Sequence, residues 1–486
     1  MNAKQGNTRF WFVILAIFFG NFSSILNSGT VAVALPFIMK DLHADLNDTQ
    51  WVTTGFMLAM GSIAPIVGYV GDKISYKRLY MFSLVGFLFT SILCGFSWNI
   101  GSLIFFRILQ GLFCGAILPA TLTIVYQAVP AEKQALGISL WSVASMFAPA
   151  IGPTLGGLLT EYYGWKAIFF MNIPLAILAI ILAARYLPMQ QVKKSGSLDY
   201  VGLITVVIGS TSLMMYFTQG NKIGWGSGLG LMWISLGVIS IAGFIWRELT
   251  AQSPLLNLRI FKYTTFTFGI IVNCIMTIGL YAGAFLLPIF MENALGSSSL
   301  TVGLAMLPGA LLMICASLLS GRLHGKINPV YPLLGGVILL VIATLAFSHL
   351  SMTTSYTFII GWMICRYVGL GFSSPNIMTL SMSAIPREST GHASAITNWL
   401  RQVIASLAIG IFSTIYSVKT QSHLTQLSAG GSVKASLQEA ASVLAMNDTF
   451  MVACIVTIVA IPFIFILSSR SKPAVPAVSK THSQGK

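Results

Sequence analysis

The sequence predicts an all-α polytopic membrane protein that crosses the bilayer fourteen times. Composition is the first reason: 56% of the chain is hydrophobic and 8% is charged, where a soluble domain carries about 25% charged residues. Length and spacing are the second: apolar stretches of about twenty residues, enough for a helix to span hydrocarbon, recur along the whole chain. The third is the placing of Lys and Arg, which fall in short clusters between those stretches in an orientation-setting pattern. Each span must be helical, because lipid offers an open backbone no hydrogen-bond partner.

Span 1 is expected at 11–33, where "FWFVILAIFFG" follows Lys4 and Arg9. Its apolar run continues past Gly29 to Leu35 without a cleavage-like end, so it reads as a span and not as a removable signal peptide. Spans 2 to 6 are expected at 50–70, 79–98, 101–124, 136–159 and 167–187, and spans 7 and 8 at 199–218 and 228–246. Spans 9 to 14 follow at 264–289, 299–320, 329–348, 355–380, 393–416 and 449–469. With the N-terminus inside, 19 Lys and Arg residues fall on the cytoplasmic side and five outside. The remaining three, Arg107, Arg366 and Arg401, lie within spans or at their edges. Losing one span early in the chain would mix the two sets, so both termini are expected in the cytoplasm. Between the last two spans, "SLQEAASVLAMNDTF" predicts a short external amphipathic helix after the Gly430–Gly431 break. Residues 247–263 predict a cytoplasmic stretch against the membrane face, and the Pro-, Ser- and Lys-rich tail from Ser471 predicts disorder.

The formal charge of +15 does not predict nucleic-acid binding, because the basic residues form no stripe or basic helix. Cys94, Cys114, Cys274, Cys315, Cys365 and Cys454 all lie in apolar segments without a CxxC pair, so they read as small hydrophobes and not as a disulfide or metal framework. The six histidines are scattered in or near loops, and no P-loop, HExxH or strand-borne GxGxxG is present. Neither a metal, a cofactor nor an enzyme is expected.

Polar groups inside spans are the informative exceptions. Arg107 in "LIFFRILQGLFCG" and Arg366 in "GWMICRYVGLGFSSP" are each followed by glycines and then a proline, an echo that hints at an internal repeat. Each arginine can be structural, bonded to a carbonyl, or can line a water-filled route. All 12 acids lie in loops or at span ends, which counts against a buried-carboxylate proton relay. In "SMFAPAIGPTLGGLLT" (145–160), Ala148, Gly152 and Gly156 are four apart and share one helix face, allowing a close helix approach. Pro149 and Pro153 each remove a backbone donor and favour a bend.

These motifs together resemble the major facilitator superfamily, and within it the 14-span drug:proton antiporter branch of EmrB/QacA-type multidrug exporters. "GYVGDKISYKR" matches its signature loop, with Gly68, Asp72, Lys73, Lys77 and Arg78 in place and Ser75 where a second glycine is usual. Arg107, Gln110, Gly111 and Gly115 are similar to the arginine-bearing motif linked to proton transfer. Ala148, Gly152, Pro153, Gly156 and Gly157 resemble the antiporter motif, and Gly164, Trp165, Phe169, Asn172 and Pro174 follow a further family pattern. In span 1, Leu26, Val31, Ala34, Leu35 and Pro36 fit, but Asn27 stands where the branch carries an aspartate and Ala32 where asparagine is common. An amide cannot carry a proton, so this helix matches the fold without that chemistry.

The resemblance implies a major facilitator fold with 14 transmembrane helices: an N-terminal six-helix bundle (1–190), an inserted hairpin with cytoplasmic linker (191–263), and a C-terminal six-helix bundle (264–470) that includes external loop 417–448. The tail 471–486 follows. It implies Arg107 and, at the position of the missing acid, Asn27 as the proton-coupling candidates, and a conformational latch of Gly68, Asp72, Lys73, Lys77 and Arg78. It also implies a midplane cavity whose polar and aromatic candidates are Asn27, Trp141, Asn273, Tyr281, Arg366, Asn376, Asn398 and Trp399. The expected partners are a small amphipathic substrate, protons, membrane lipid and, in a Gram-negative host, a periplasmic adaptor. The expected form is a monomer in the bacterial cytoplasmic (inner) membrane. The competing readings are a transporter of a physiological solute such as a lipid-like metabolite, peptide, sugar or siderophore, and a non-transporting scaffold that would have shed the latch hardware.

Overall fold

The computed structural model describes residues 3–189, 198–251, 254–427 and 435–470, and these are almost wholly helical. The first group of helices is α1 (Ala3–Asp41), α2 (Leu46–Ile63), α3 (Val67–Ile74), α4 (Tyr76–Gly95), α5 (Ile100–Ala128), α6 (Ala131–Tyr163) and α7 (Lys166–Tyr186). A hairpin of α8 (Tyr200–Ile223) and α9 (Gly228–Thr250) follows. The second group is α10 (Thr264–Asn293), α11 (Ser299–Leu323), α12 (Val330–Ala346), α13 (Tyr356–Ser383), α14 (Thr390–Leu427), α15 (Ala435–Ile458) and α16 (Ala460–Arg470).

Each expected span coincides with one helix, or with one interrupted helix where α2 gives way to α3 around Pro65 and α15 to α16 at Val459. Among the described residues twelve helices are long and apolar enough to cross a membrane, and α6 makes thirteen when counted across its 45° bend between Pro149 and Ile151. The 28-residue α13 is long enough as well, but buried Arg366 and its Gly, Ser and Asn residues lower its apolarity. The expectation of fourteen spans is consistent with this count.

Two local expectations are revised. The segment 436–450 is helical, but it is the start of α15 and continuous with the last span instead of a separate external helix. Val443, Met446 and Phe450 are buried at helical spacing, so nothing in that stretch gives the chain reason to turn. Residues 254–262 fold back onto protein: Leu255, Leu256 and Ile260 are buried, and the Glu248 carboxylate accepts from the Leu256 amide at 2.9 Å. Asp199 caps α8 through the Gly202 amide and pairs with Arg247 at 2.8 Å. Burial alone would raise the Asp199 pKa; the Gly202 amide and the Arg247 charge outweigh it and hold the carboxyl below its ordinary range. Lys193, Lys194, the Gly430–Gly431 break and the tail 471–486 lie outside the described residues.

The small residues of α6 have a direct structural use. A Cβ on Gly152 would lie 3.2 Å from the Gly29 Cα, and one on Gly156 would lie 2.8 Å from the Thr30 Cα, so α1 and α6 touch backbone to backbone. Contact with the second group uses other residues of α6: Ser317 on α11 donates to the Ser139 carbonyl at 3.1 Å, and Gly303 admits Thr154. The α8 helix is wedged between the groups, with Thr211 on Ser62 of α2 at 2.7 Å and Ser210 on Trp399 of α14 at 2.7 Å.

Replacing Gly156 with Leu is expected to push α6 off α1 at a cost of about 1–3 kcal/mol. Heating the detergent-solubilised protein before size exclusion should show an earlier loss of the monodisperse peak; an unchanged midpoint would refute the close crossing.

Candidate functional site

The first polar centre is built on α5. The Arg107 side chain is fully buried; its Nε donates to the Val52 carbonyl at 3.0 Å. One terminal nitrogen donates to Asn27 Oδ1 at 2.8 Å and to Gln110 Oε1 at 2.7 Å. Gln110 in turn donates to Ser91 Oγ at 2.6 Å. The guanidinium carbon lies 4.0 Å from the Phe56 ring centroid, a cation–π contact worth more in a dry site than in water. Every acceptor is neutral, so the positive charge is solvated but not cancelled. The second terminal nitrogen of Arg107 and the Asn27 amide nitrogen have no hydrogen-bond partner in the protein. Arg107 and Asn27, expected to act together, are therefore in contact.

Arg366 forms a second centre inside the other group. Its guanidinium donates to Thr344 Oγ1 at 3.0 Å, to the Leu280 carbonyl at 3.1 Å and, more closely, to the Gly279 carbonyl. Gly283 leaves room for it, since a Cβ there would lie 2.6 Å from the arginine Nε.

The third centre bridges the two groups. Arg401 on α14 donates to Asn398 Oδ1 at 3.2 Å, and its guanidinium carbon lies 6.0 Å from the Trp141 ring centroid on α6. Tyr281 is partly buried on α10, which packs against α14. Trp141 donates to Thr121 Oγ1 at 3.1 Å, and Thr121 to Asn21 Oδ1 at 2.8 Å, which carries the polar track back to α1. Other cavity candidates sit elsewhere. Asn376 bonds Ser320 within the second group at 2.7 Å, and Trp399 faces the inserted hairpin through Ser210 and Phe244. Asn273 is partly buried on α10.

The Asp72 end of the seam is closed by direct contacts. Tyr76 donates to the Asp72 carboxylate and to the Gly68 carbonyl, both at 3.0 Å. His392 of α14 comes within 3.6 Å of the other Asp72 oxygen, and its backbone sits where a Gly68 Cβ would intrude. Close by, Ser394 donates to the Pro119 carbonyl at 2.8 Å and Tyr126 to the Met378 carbonyl at 3.3 Å. Lys77 does not cross the seam; it caps α7 at the Ala184 and Leu187 carbonyls, 2.8 and 2.7 Å away. Lys73 rests on Tyr69, and Arg78 is exposed. Ala148 is buried and Pro153 packs near Gly29, whereas the Gly157 α-carbon faces open space. Among the described residues no group of His, Cys, Asp and Glu could hold a metal ion.

The sequence profile of the Major Facilitator Superfamily matches residues 17–409. The chain belongs to that superfamily. It is 30% identical over 415 residues to the uncharacterised MFS-type transporter YhcA of Bacillus subtilis (strain 168), covering 85% of this chain and 78% of YhcA. It is 28% identical over 426 residues to the multidrug export protein EmrB of Escherichia coli (strain K12), covering 85% of this chain and 81% of EmrB. A third relative, the tetracenomycin C resistance and export protein of Streptomyces glaucescens, is 28% identical over 406 residues, 83% of this chain and 76% of that protein. These relatives place it in the EmrB/QacA-type drug-exporter branch. The crystal structure of the human organic anion transporter MFSD10 superposes with a TM-score of 0.61 at 13% identity, covering 94% of this chain and all of that one, a likeness of fold alone.

Sequence reasoning left Arg401 and His392 out of the site. Arg401 had a usable signal: it follows the candidate Asn398 by three residues and so shares its helix face. His392 had none, since only the fold brings it to Asp72.

Arg107→Ala leaves Asn27 Oδ1, Gln110 Oε1 and the Val52 carbonyl without this donor. Each unmet group costs about 1–3 kcal/mol, so the variant should lose more than about 3 kcal/mol and aggregate at lower temperature in the same heating assay. Arg107→Lys should fall between the two, keeping the charge but not the planar stack on Phe56. Ser75 has φ +81° and a buried hydroxyl without a hydrogen-bond partner among the described residues. Ser75→Gly is expected to raise the midpoint by relieving roughly 1 kcal/mol of backbone strain; a lower midpoint would refute the strain.

Proposed function

We propose that this chain is a secondary active exporter that moves amphipathic drugs or toxic compounds out of a bacterial cell in exchange for protons. The two helix groups act as six-helix bundles that alternate about the seam, with the α8–α9 hairpin as a wedge between them. The Asp72 end faces the cytoplasm together with both termini, in the cytoplasmic membrane. The protein works as a monomer, joined in a Gram-negative host by a periplasmic adaptor, and performs no enzymatic chemistry. The observation that carries this reading is the seam in a drug-exporter relative: its Asp72 end is held by contacts a few atoms wide, among Asp72, Tyr76 and His392, which can break and re-form.

A second reading, a transporter of a physiological solute with weak or different ion coupling, draws support from Asn27. The amide that meets Arg107 cannot bind and release a proton.

The test is transport by the full chain in proteoliposomes with an imposed pH gradient, across a chemically varied panel. Proton-linked export of amphipathic compounds is expected. Its absence, where a known family exporter works under the same conditions, would remove the proposal. Asn27→Asp should strengthen the pH dependence of transport by placing a titratable acid on Arg107; an unchanged pH profile would show that this contact does not limit coupling.

A further inference from the structure

We infer that the seam centre around Arg401, Asn398, Tyr281 and Trp141 recognises the head of an amphipathic organic anion, so that the exported solutes are preferentially anionic. The inference rests on the exporter reading and names its substrate class.

The first support is the sign of the charge inside the membrane. Arg107, Arg366 and Arg401 lie within membrane-spanning helices. Among the described residues the buried carboxylates are Asp199 and Glu248, both at the Asp72 end of the inserted hairpin. Asp72 closes the end of the seam, and no acid accompanies the arginines at depth. Asn27 offers Arg107 an oxygen that accepts a hydrogen bond but brings no charge. The interior field is thus positive without an internal counter-charge, and low-dielectric walls strengthen such a field.

The second support separates Arg401 from the other arginines. Arg107 makes three hydrogen bonds and stacks on Phe56; Arg366 makes three to Thr344 and to the carbonyls of Gly279 and Leu280. Among the described residues Arg401 makes one, to Asn398, and forms no ion pair. A guanidinium has five N–H donors in a fork that fits a carboxylate or sulfonate, and among the described residues only one protein acceptor, Asn398 Oδ1, faces that of Arg401. It is also partly exposed, where the other two are almost fully buried.

The third support is position. Arg401 is eleven residues beyond the start of the 38-residue α14, about 16 Å along the helix from the end where His392 approaches Asp72. Trp141 belongs to the first group of helices and Arg401, Asn398 and Tyr281 to the second, so a ligand here touches both sides of the seam. Trp141 is buried beside the Arg401 guanidinium, its indole N–H held by Thr121, and gives the centre an apolar wall. The groups fit a negative head with an aromatic or aliphatic body, and would repel a cation of the same shape.

The decisive experiment uses two probes with one body: pyrenebutyrate and pyrenebutyltrimethylammonium, which differ in the sign of the head. Binding to the full chain in phosphatidylcholine nanodiscs is read by pyrene fluorescence after subtraction of empty discs. The wild type is expected to bind the carboxylate roughly tenfold more tightly than the ammonium, the scale of one charge-assisted hydrogen-bonded pair. Arg401→Gln should bring the two near parity, and Arg401→Lys should keep most of the preference. Equal or tighter binding of the ammonium by the wild type would overturn the inference, as would an unchanged preference in Arg401→Gln. Discs containing phosphatidylglycerol separate a solute site from a lipid-headgroup site. The difference between wild type and Arg401→Gln should persist there, and its disappearance would reassign the site to lipid and overturn the solute. In proteoliposomes, export of cationic probes alone would sink this inference and leave the exporter reading standing; export of no solute would sink the exporter reading.

Discussion

A guanidinium held in the hydrocarbon interior must find every acceptor within the protein, and that requirement organises both helix groups. Arg107 on α5 reaches Asn27 of α1, the Val52 carbonyl of α2 and, through Gln110, Ser91 of α4. Arg366 repeats the scheme: from α13 it reaches the α10 backbone and Thr344 of α12. In each group an arginine on the fourth spanning helix bonds the first, and reaches the third directly from Arg366 and through Gln110 from Arg107. The faint echo between "LIFFRILQGLFCG" and "GWMICRYVGLGFSSP" is thus a repeated way of solvating a charge without water. It also explains the glycines nearby. Gly283 makes room for Arg366, and Gly111 and Gly115 let α5 lie against the α2 backbone from which Arg107 takes the Val52 carbonyl.

The seam between the groups is bridged by hydroxyl-to-carbonyl bonds at Ser394–Pro119 and Ser317–Ser139 and by the carboxylate–imidazole approach at Asp72–His392. Each is worth little alone, so an exporter whose groups alternate as proposed would have small contacts to break here. The α8–α9 hairpin complicates that picture. It bonds to α2 through Thr211, and to α14 through Ser210 and Asn221, so it touches both groups at once. Movement of α14 relative to α2 must either carry α8 with one side or exchange its hydrogen bonds.

The sequence made the fold legible because hydrophobic length and Lys/Arg alternation are summed over many residues, and no single error displaces them. Even α13, the least apolar of the spans, was recoverable from its neighbours' spacing. Site residues were legible only where one helix carries the whole pattern. The contact between Arg107 and Asn27 came from two motifs that each point into the first group. Trp399 shows the opposite case. As an aromatic residue beside Asn398 it read as part of a cavity, but adjacent residues on a helix point about 100° apart. Asn398 therefore meets Arg401 at the seam, while Trp399 meets the inserted hairpin. His392 and Glu248 were invisible for a related reason: the first gains meaning only from Asp72, and the second only from a linker that folds back to give it the Leu256 amide.

The amide at Asn27 bears on how such a machine could be driven. An arginine paired with an acid has two electrical states, because protonating the acid releases the arginine; an arginine bonded to an amide has one. The centre at Arg107 keeps its charge through any proton cycle unless a ligand or a solvent anion changes it. At the Asp72 end the carboxylate and the His392 imidazole come within 3.6 Å across the two helix groups, a contact that does not involve Arg107. An anionic solute at Arg401 would supply to the seam the negative charge that the helices lack.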